Sequence, residues 1–387
     1  MNNYIDDIKL CVNDLIKYYK INSKIKIYVD EIGIYVFEIL QEVYNKDTIN
    51  KYIYPEILEQ IICKEFPYLN NNFKFNDYYN NSNNKLRVKI LLKKPQSSQK
   101  SDLWHQQRKN SIGASELASV FNKNPFCSYN KYLLKKSGYE TITNNNINIH
   151  CLHGIKYEEI AQKIYCNRNK VKLYEFGSIE HEKYKWIRAS PDGISDKGIM
   201  LEIKVPLVRK IYGIPPIYYW YQIQHQLNVC NLNKCDFLEC KIEEYKSWHE
   251  YKQDFNNNLE KGIIIEYVNK NELDPWKKIS WIYPKNIKMS LEDTYIWISK
   301  IKYELSQDKN KQFSRIIPWK LIQYSCFRVY RNYDWWNNNF KIIENFWNLV
   351  LKYRKNGYNE LIPKKRIKKI KKKIDNFENY QFLSDSE

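Results

Sequence analysis

Ile32, Val36, Ile39, Leu40 and Val43 recur at the three- and four-residue spacing of a single helix face, and Ile57 to Phe66 repeats that pattern. Residues 1–92 therefore read as a mainly helical N-terminal domain, and no chemistry shows in it. Asn70 to Asn84 is rich in asparagine and reads as a loop. The polar run from Lys93 to Asp102, KKPQSSQKSD, marks a linker over 93–101. From 102 to 250, short β runs mix with helices. Trp186 to Ser190, Ile199 to Val205 and Cys235 to Ile242 read as strands. Tyr157, Ile160, Ala161 and Ile164 form one helical stripe. From Tyr218 to Cys230, Trp220, Ile223, Leu227 and Cys230 form a second, with Tyr219, Gln222 and Gln226 on another face of the same helix. Residues 251–355 hold Trp and Tyr at irregular spacing and a helix from Asn337 to Tyr353, and 356–387 form a tail. The pattern predicts an α/β fold, a central mixed sheet flanked by helices, with mainly helical N- and C-terminal extensions.

Composition narrows the function classes. The chain has 387 residues, 43% hydrophobic and 16% aromatic, which excludes a wholly disordered polypeptide. Charged or amide residues interrupt every apolar stretch before the roughly 18 residues a membrane span needs, so no membrane partner is expected. The start, MNNYIDD, carries no signal-peptide pattern, and the nine scattered cysteines read as reduced intracellular thiols. Lys and Arg number 63 against 44 Asp and Glu, a net charge of +19 that points to nucleic acid. Lys352 to Lys373 holds eleven basic residues against one acid, Glu360. Its centre, KKRIKKIKKKI from Lys364 to Ile374, reads as a basic amphipathic helix, either a DNA grip or a nuclear import signal; a solvated tail is the ordinary alternative.

The densest chemistry lies at Pro191-Asp192-Gly193 and Glu202-Ile203-Lys204. If the first is a turn between two strands, Asp192 ends one of them. Glu202 and Lys204, two apart on the next, share a face. Two carboxylates and a lysine then converge, and the carbonyl of Ile203 points to the same edge. That donor set suits Mg²⁺, which takes one or two carboxylates and keeps waters and phosphate oxygens for the rest. Lys204 would orient or deprotonate a water, or stabilise charge on a phosphate. The ordinary alternative is a surface hairpin with a cross-strand ion pair.

Other residues support the first reading. Glu158, at the border of the Tyr157 stripe, can reach inward as a further ligand, with Glu159 a rival. Ser115 precedes Glu116, Leu117, Val120 and Phe121 and reads as a helix N-cap, a place where phosphate binds readily; Arg108, seven residues earlier, adds a guanidinium. Gln222 can donate to or accept from a phosphate.

These pieces occur in the order W-x3-R-x6-S (Trp104, Arg108, Ser115), G-x3-E (Gly154, Glu158), S-P-D-G (Ser190 to Gly193), E-I-K (Glu202 to Lys204) and Y-x2-Q-x-Q (Tyr219, Gln222, Gln224). Over about residues 102 to 245 this order resembles the YqaJ-type viral recombinases, relatives of phage lambda exonuclease in the PD-(D/E)XK nuclease superfamily. The resemblance implies a restriction-endonuclease-like core. It implies a Mg²⁺-dependent exonuclease, with Mn²⁺ as a substitute, that degrades one strand of duplex DNA from its 5′ end for recombination, repair or genome processing. It puts Asp192, Glu202, Glu158 and the Ile203 carbonyl on the metal, Lys204 on the water, and Arg108, Ser115, Ser190 and Gln222 around a 5′-phosphate. It also implies double-stranded DNA ends and a single-strand annealing protein as partners. The family's toroidal trimer is left open, because the extensions at both ends have no counterpart there. The expected setting is viral, in the host cytoplasm or nucleus or in the virion.

Other constellations carry less. Cys230, Cys235 and Cys240 are evenly spaced, yet Cys235 and Cys240 differ in strand parity, so buried thiols are expected rather than an iron–sulfur cluster. Cys151 and His153 lack a second pair for zinc, and His181 and His225 have no obvious partners. Trp335, Trp336 and Trp347 are expected to pack in the core rather than stack on bases. Two rival functions remain: an endonuclease of the same superfamily, and a non-catalytic DNA-binding or packaging protein. Retention of Glu158, Asp192, Glu202 and Lys204 argues against the second.

Overall fold

A computed structural model describes residues 4–21, 29–44, 46–65, 81–99, 101–139, 148–257 and 259–362. The basic run 364–374 and residues 70–80 lie outside the described residues. The N-terminal helices are α1 (Tyr4–Ile21), α2 (Val29–Val43), α3 (Lys46–Tyr52), α4 (Pro55–Glu65) and α5 (Asn81–Lys93). Ile32, Val36 and Leu40 of α2 are buried, but Ile39 and Val43 of the same predicted stripe are exposed, so the face that packs is narrower than the sequence pattern. Residues 81–84, expected to be loop, already belong to α5. Val88 and Leu91 of that helix are buried, and Arg87 donates to the Cys230 carbonyl at 2.6 Å and pairs with Glu182 at 2.6 Å. These anchors override the turn preference of its Asn-rich first turn.

Next come α6 (Asp102–Lys109), β1 (Ile112–Gly113), a 3-10 turn (Ala114–Glu116), α7 (Leu117–Val120), α8 (Tyr129–Lys136) and α9 (Ile149–Asn169). Then follow β2 (Leu173–Tyr174), β3 (Ile179–Glu180), β4 (Ile187–Ala189), β5 (Gly193–Ser195), β6 (Met200–Lys204), α10 (Ile217–Cys230) and β7 (Lys234–Glu244). The chain continues through α11 (Trp248–Gln253), β8 (Lys261–Asn269), α12 (Pro275–Lys278), β9 (Ile279–Ile282), α13 (Leu291–Gln307), β10 (Lys311–Tyr330) and α14 (Tyr333–Asn356).

The strands form a seven-stranded mixed sheet, β2-β5-β6-β7-β10-β8-β9, and a three-stranded one, β1-β4-β3. β6 and β7 are parallel, with α10 as the crossover, and the other pairs of the large sheet are antiparallel. This is the expected α/β class, helices around a central sheet. The C-terminal extension, expected to be mainly helical, also supplies β8, β9 and β10. β10 is 20 residues long and pairs with β8 through its first half and with β7 through its second, so residues beyond 250 continue the same sheet.

The expected hairpin forms differently. β4 and β6 lie in different sheets; Gly193–Ser195 is the strand that pairs with β6. Pro191-Asp192 is the step from the small sheet to the large one, and the tight turn is Ser195 to Gly198, closed by Gly198 N–H to Ser195 O at 2.8 Å. Cys235 and Cys240 fall in separate hydrophobic clusters on β7, as their parity predicts. Trp335, Trp336 and Trp347 are buried. No helix among the described residues is long and apolar enough to cross a membrane.

Gly198 has φ +75°, and a Cβ there would lie 2.5 Å from Asn84 Cβ and 2.9 Å from its carbonyl. Gly198→Ala is expected to cost about 2 kcal/mol or more. Gly357, at φ +89° with nothing within 4 Å, should cost about 1 kcal/mol on the same change. Urea unfolding of the two variants checks the difference.

Candidate active site

β5 begins at Gly193, opposite Leu201 of β6, so the amide of Ile203 lies past the end of that strand pairing. The Asp192 carboxylate takes it: Ile203 N–H donates to Asp192 Oδ2 at 2.7 Å. The side chain that starts one strand thus completes the edge of the next, and this fixes Asp192 beside Glu202 and Lys204.

Glu202 is 1% exposed. Its Oε1 accepts from Gln222 Nε2 at 2.6 Å and from the Lys204 ammonium, and its Oε2 accepts from Gln226 Nε2 at 2.7 Å. Gln222 and Gln226 are one turn apart on α10, so the crossover helix presents two amides to one carboxylate. Lys204 also lies over the Tyr219 ring, 4.8 Å from its centre. Burial pushes the Asp192 carboxyl well above its ordinary range; Glu202 and Glu158 push the same way, against Lys204 and the Ile203 amide. Burial works against the charge of Lys204, but Glu202 and Asp192 outweigh it and hold the ammonium above its usual value.

Arg108 at the end of α6 lies over the Trp104 ring at 4.6 Å and donates to Ser115 Oγ at 3.4 Å. Trp104 Nε1 donates to Ser190 Oγ at 3.1 Å. A cavity of about 210 Å³ is lined by Arg108, Ser115, Ser190, Asp192, Glu202, Lys204 and Gln222. Seven residues expected from four separate stretches of sequence meet there. Glu158 is exposed and lines a neighbouring cavity of about 630 Å³, which shares Asp192 and Gln99 with the first.

Several expectations change. Ser115 caps no helix: it sits inside the 3-10 turn, and α7 behind it has four residues, so its hydroxyl rather than a helix end faces the cavity. Gln222 gives its amide to Glu202 while lining the cavity. Gln224 points away, donating to Tyr330 O at 2.8 Å and accepting from Asn332 N–H at 2.7 Å. His225 and His181 do have partners, the Arg188 carbonyl and the Asn228 amide, each 3.0 Å away.

Gln226 and Gln99 line the site without a role assigned from the sequence, although the helical pattern places Gln226 on the face of Gln222. Gln226 shows a signal, its i+4 spacing from Gln222. Gln99 shows none: it lies in the stretch read as a linker, yet its Nε2 donates to Phe176 O at 2.9 Å and it lines both cavities. The rest of that stretch is pinned as well, by Ser178 N–H to Ser97 O at 3.0 Å and Gly177 N–H to Gln96 Oε1 at 2.7 Å.

Among the described residues, no group of three or more His, Cys, Asp or Glu side chains is placed to hold a metal ion. The carboxylates that do meet are those of Asp192 and Glu202, which line one cavity. Burial and Glu202 disfavour the charged form of Asp192, and a hard divalent cation that fills its shell with water and phosphate oxygens would offset that cost, so the set fits such an ion.

The end of α6 that carries Arg108 is fastened from behind. Lys136, with a side chain 4% exposed, donates to Arg108 O at 2.5 Å and Ser111 O at 2.7 Å and pairs with Glu116 at 3.0 Å. Arg354 of α14 donates to Lys136 O at 2.9 Å and Lys109 O at 2.6 Å.

A family model described as the YqaJ-like viral recombinase domain matches residues 103–233. The chain is 32% identical to an uncharacterized protein of Acanthamoeba polyphaga mimivirus, over 98% of this chain and 72% of that protein. It is 22% identical to a protein of African swine fever virus (strain Badajoz 1971 Vero-adapted), over 66% of this chain and 87% of the other. Among solved structures it is similar to an alkaline exonuclease (LHK-Exo) from Laribacter hongkongensis, with TM-score 0.40 and 17% identity, over 66% of this chain and 95% of that one.

Burial raises the Glu116 carboxyl, but Lys136, Lys135 and Arg108 outweigh it and bring it from 4.5 to about 2. A depressed carboxyl stabilises the fold above its unfolded value, and that stability is lost as pH falls from about 5 toward 2. Glu116→Gln is expected to remove roughly 3 kcal/mol at neutral pH and to flatten the acid limb in that window. Urea unfolding at a series of pH values checks this; equal slopes for both proteins would refute it.

Proposed function

The chain belongs to the YqaJ-like viral recombinase family, and on that footing we propose that it is a metal-dependent exonuclease that shortens one strand of duplex DNA from its 5′ end. One observation carries the reading: Asp192, Glu202 and Lys204 face the same small cavity as Arg108, Ser115 and Ser190. A phosphodiester cleaved there would have its 5′-terminal phosphate within reach of a guanidinium and two hydroxyls.

Asp192, Glu202 and the carbonyl of Ile203 would hold Mg²⁺, or Mn²⁺ in its place, with Glu158 on the side of the neighbouring cavity. The ion, when bound, supplies Lewis-acid stabilisation of the phosphate oxygens and a more acidic water. The chain's own residues do the rest. Gln222 and Gln226 hold both oxygens of Glu202 so that it cannot rotate away. Lys204, kept protonated between two carboxylates, orients the attacking water and faces the charge that develops on the phosphate. Arg108 takes the 5′-phosphate, and Trp104 keeps the guanidinium over its ring and Ser190 turned inward. The relatives named above are viral proteins, and we place the activity in recombination, repair or processing of a viral genome in the infected cell.

The test is a cleavage assay with Mg²⁺ on linear duplex DNA, with and without a 5′-phosphate, beside a covalently closed circle. Progressive loss of the linear DNA alone, faster with the 5′-phosphate, is expected. Cutting of the circle would replace this reading by an endonuclease. Binding without cutting would replace it by a non-catalytic DNA-binding protein. Lys204→Ala should lower turnover by about 10³-fold or more while DNA binding persists. Arg108→Ala should erase the preference for a 5′-phosphate, read as the ratio of rates on the two ends.

A further inference from the structure

The small cavity at Arg108 can receive one end of a strand, and the rest of that strand must leave past Asp192. The neighbouring cavity of about 630 Å³, which shares Asp192, offers a path for it. The charged residues of its lining are all carboxylates, Glu158, Glu159, Glu175 and Asp192; Glu159 pairs with Lys163 at 2.9 Å, and the others repel phosphates when ionised. Grip on the departing strand has to come from beyond that stretch.

A third cavity, of about 840 Å³, begins where the second ends: Ile155 and Tyr283 line both. It is built by β8, α12 and β9, outside the residues that the family model matches. Trp276, 38% exposed, Trp281 and Tyr283 offer ring faces. Lys277 is exposed beside Trp276, and Lys311 stands across the cavity with Asn269, Asn271 and Asn310. The two carboxylates present are engaged locally. Asp308 pairs with Lys311 at 3.0 Å, and Glu272 accepts from the Asp274 N–H at 2.9 Å. Exposed rings, amides and a lysine in one groove are the chemistry that holds a nucleic-acid strand by stacking and phosphate contact.

We propose that this cavity is a DNA-strand binding site, in which Trp276 and Lys277 hold the part of the substrate strand still attached beyond the cleavage point. The proposal rests on reading the chain as acting on DNA ends. It assigns the β8–β9 region a share of substrate grip and predicts that affinity depends on length: a strand too short to pass the acidic stretch gains nothing from the site.

The test is fluorescence anisotropy with the full chain in EDTA, comparing a long 5′-phosphorylated duplex with a 5′-phosphorylated trinucleotide. For the wild type the long duplex should bind more tightly. Trp276→Ala and Lys277→Glu should each cut that long-to-short affinity ratio by about tenfold, and Trp276→Phe should restore most of it. Thermal melts of each variant verify folding. An unchanged ratio in both variants, or a wild type without length preference, overturns the site. Because cleavage is not read, a protein that binds with this preference but never cuts linear DNA would sink the nuclease reading and leave the site standing.

Discussion

A carboxylate shut inside a protein must be met by donors, because an unpaired buried charge costs several kcal/mol. Glu202 is that carboxylate, and its needs organise the core. β6 carries it on a strand flanked on both sides, α10 must cross above that strand with two amides one turn apart, and Lys204 must share its face. Those requirements fix the register between β6 and α10. Slipping α10 by one residue would rotate Gln222 and Gln226 off the carboxylate and put apolar Ile223 and Leu227 in their place. The polar requirement and the hydrophobic one agree, which is what makes the position unique.

The same logic explains what the sequence discloses. Glu202 and Lys204 are legible because strand alternation is local and needs no knowledge of the rest of the fold. Asp192 is placed beside them correctly, but by the wrong connection: strand β5 has three residues, too few to register as a strand. Ser115 reads as a cap because apolar spacing follows it; the structure puts a 3-10 turn there and keeps the residue in the site by its hydroxyl. Gln222 and Gln224 form a motif pair in the sequence, yet a helix turns by about 100° per residue, so they cannot serve one carboxylate. The true partner of Gln222 is Gln226. Gln99 is out of reach, since its position depends on tertiary contacts made by a stretch whose composition is that of a linker.

Among the described residues, neither extension lines the small cavity, and the site depends on them nonetheless. From the C-terminal side, Gln224 is pinned to Tyr330 and Asn332, and Arg354 closes over the end of α6 that carries Arg108. From the N-terminal side, Tyr54 O–H donates to Pro215 O at 3.1 Å, and Tyr4 stacks on Tyr212 at 4.9 Å. Both contacts brace the segment that leads from β6 into α10. Sequence comparison confined to 103–233 would miss these supports, although they hold the motif residues in position.

The distribution of charge completes the argument. The net charge of +19 suggests a surface that draws in DNA, but the wall running from Asp192 past Glu158, Glu159 and Glu175 is acidic. A strand crossing it is unfavourable unless cations or a ligand group at each end offset the repulsion. Arg108 stands at one end, and Lys277 stands at the other, beside a Lys311 that Asp308 already pairs. On the proposed reading, a polyanion held at both ends and repelled in the middle would be kept from settling on the carboxylates and would leave them open to a divalent cation. Favourable contacts would then sit away from the reacting centre, whose carboxylates a divalent cation and the scissile phosphate would satisfy together.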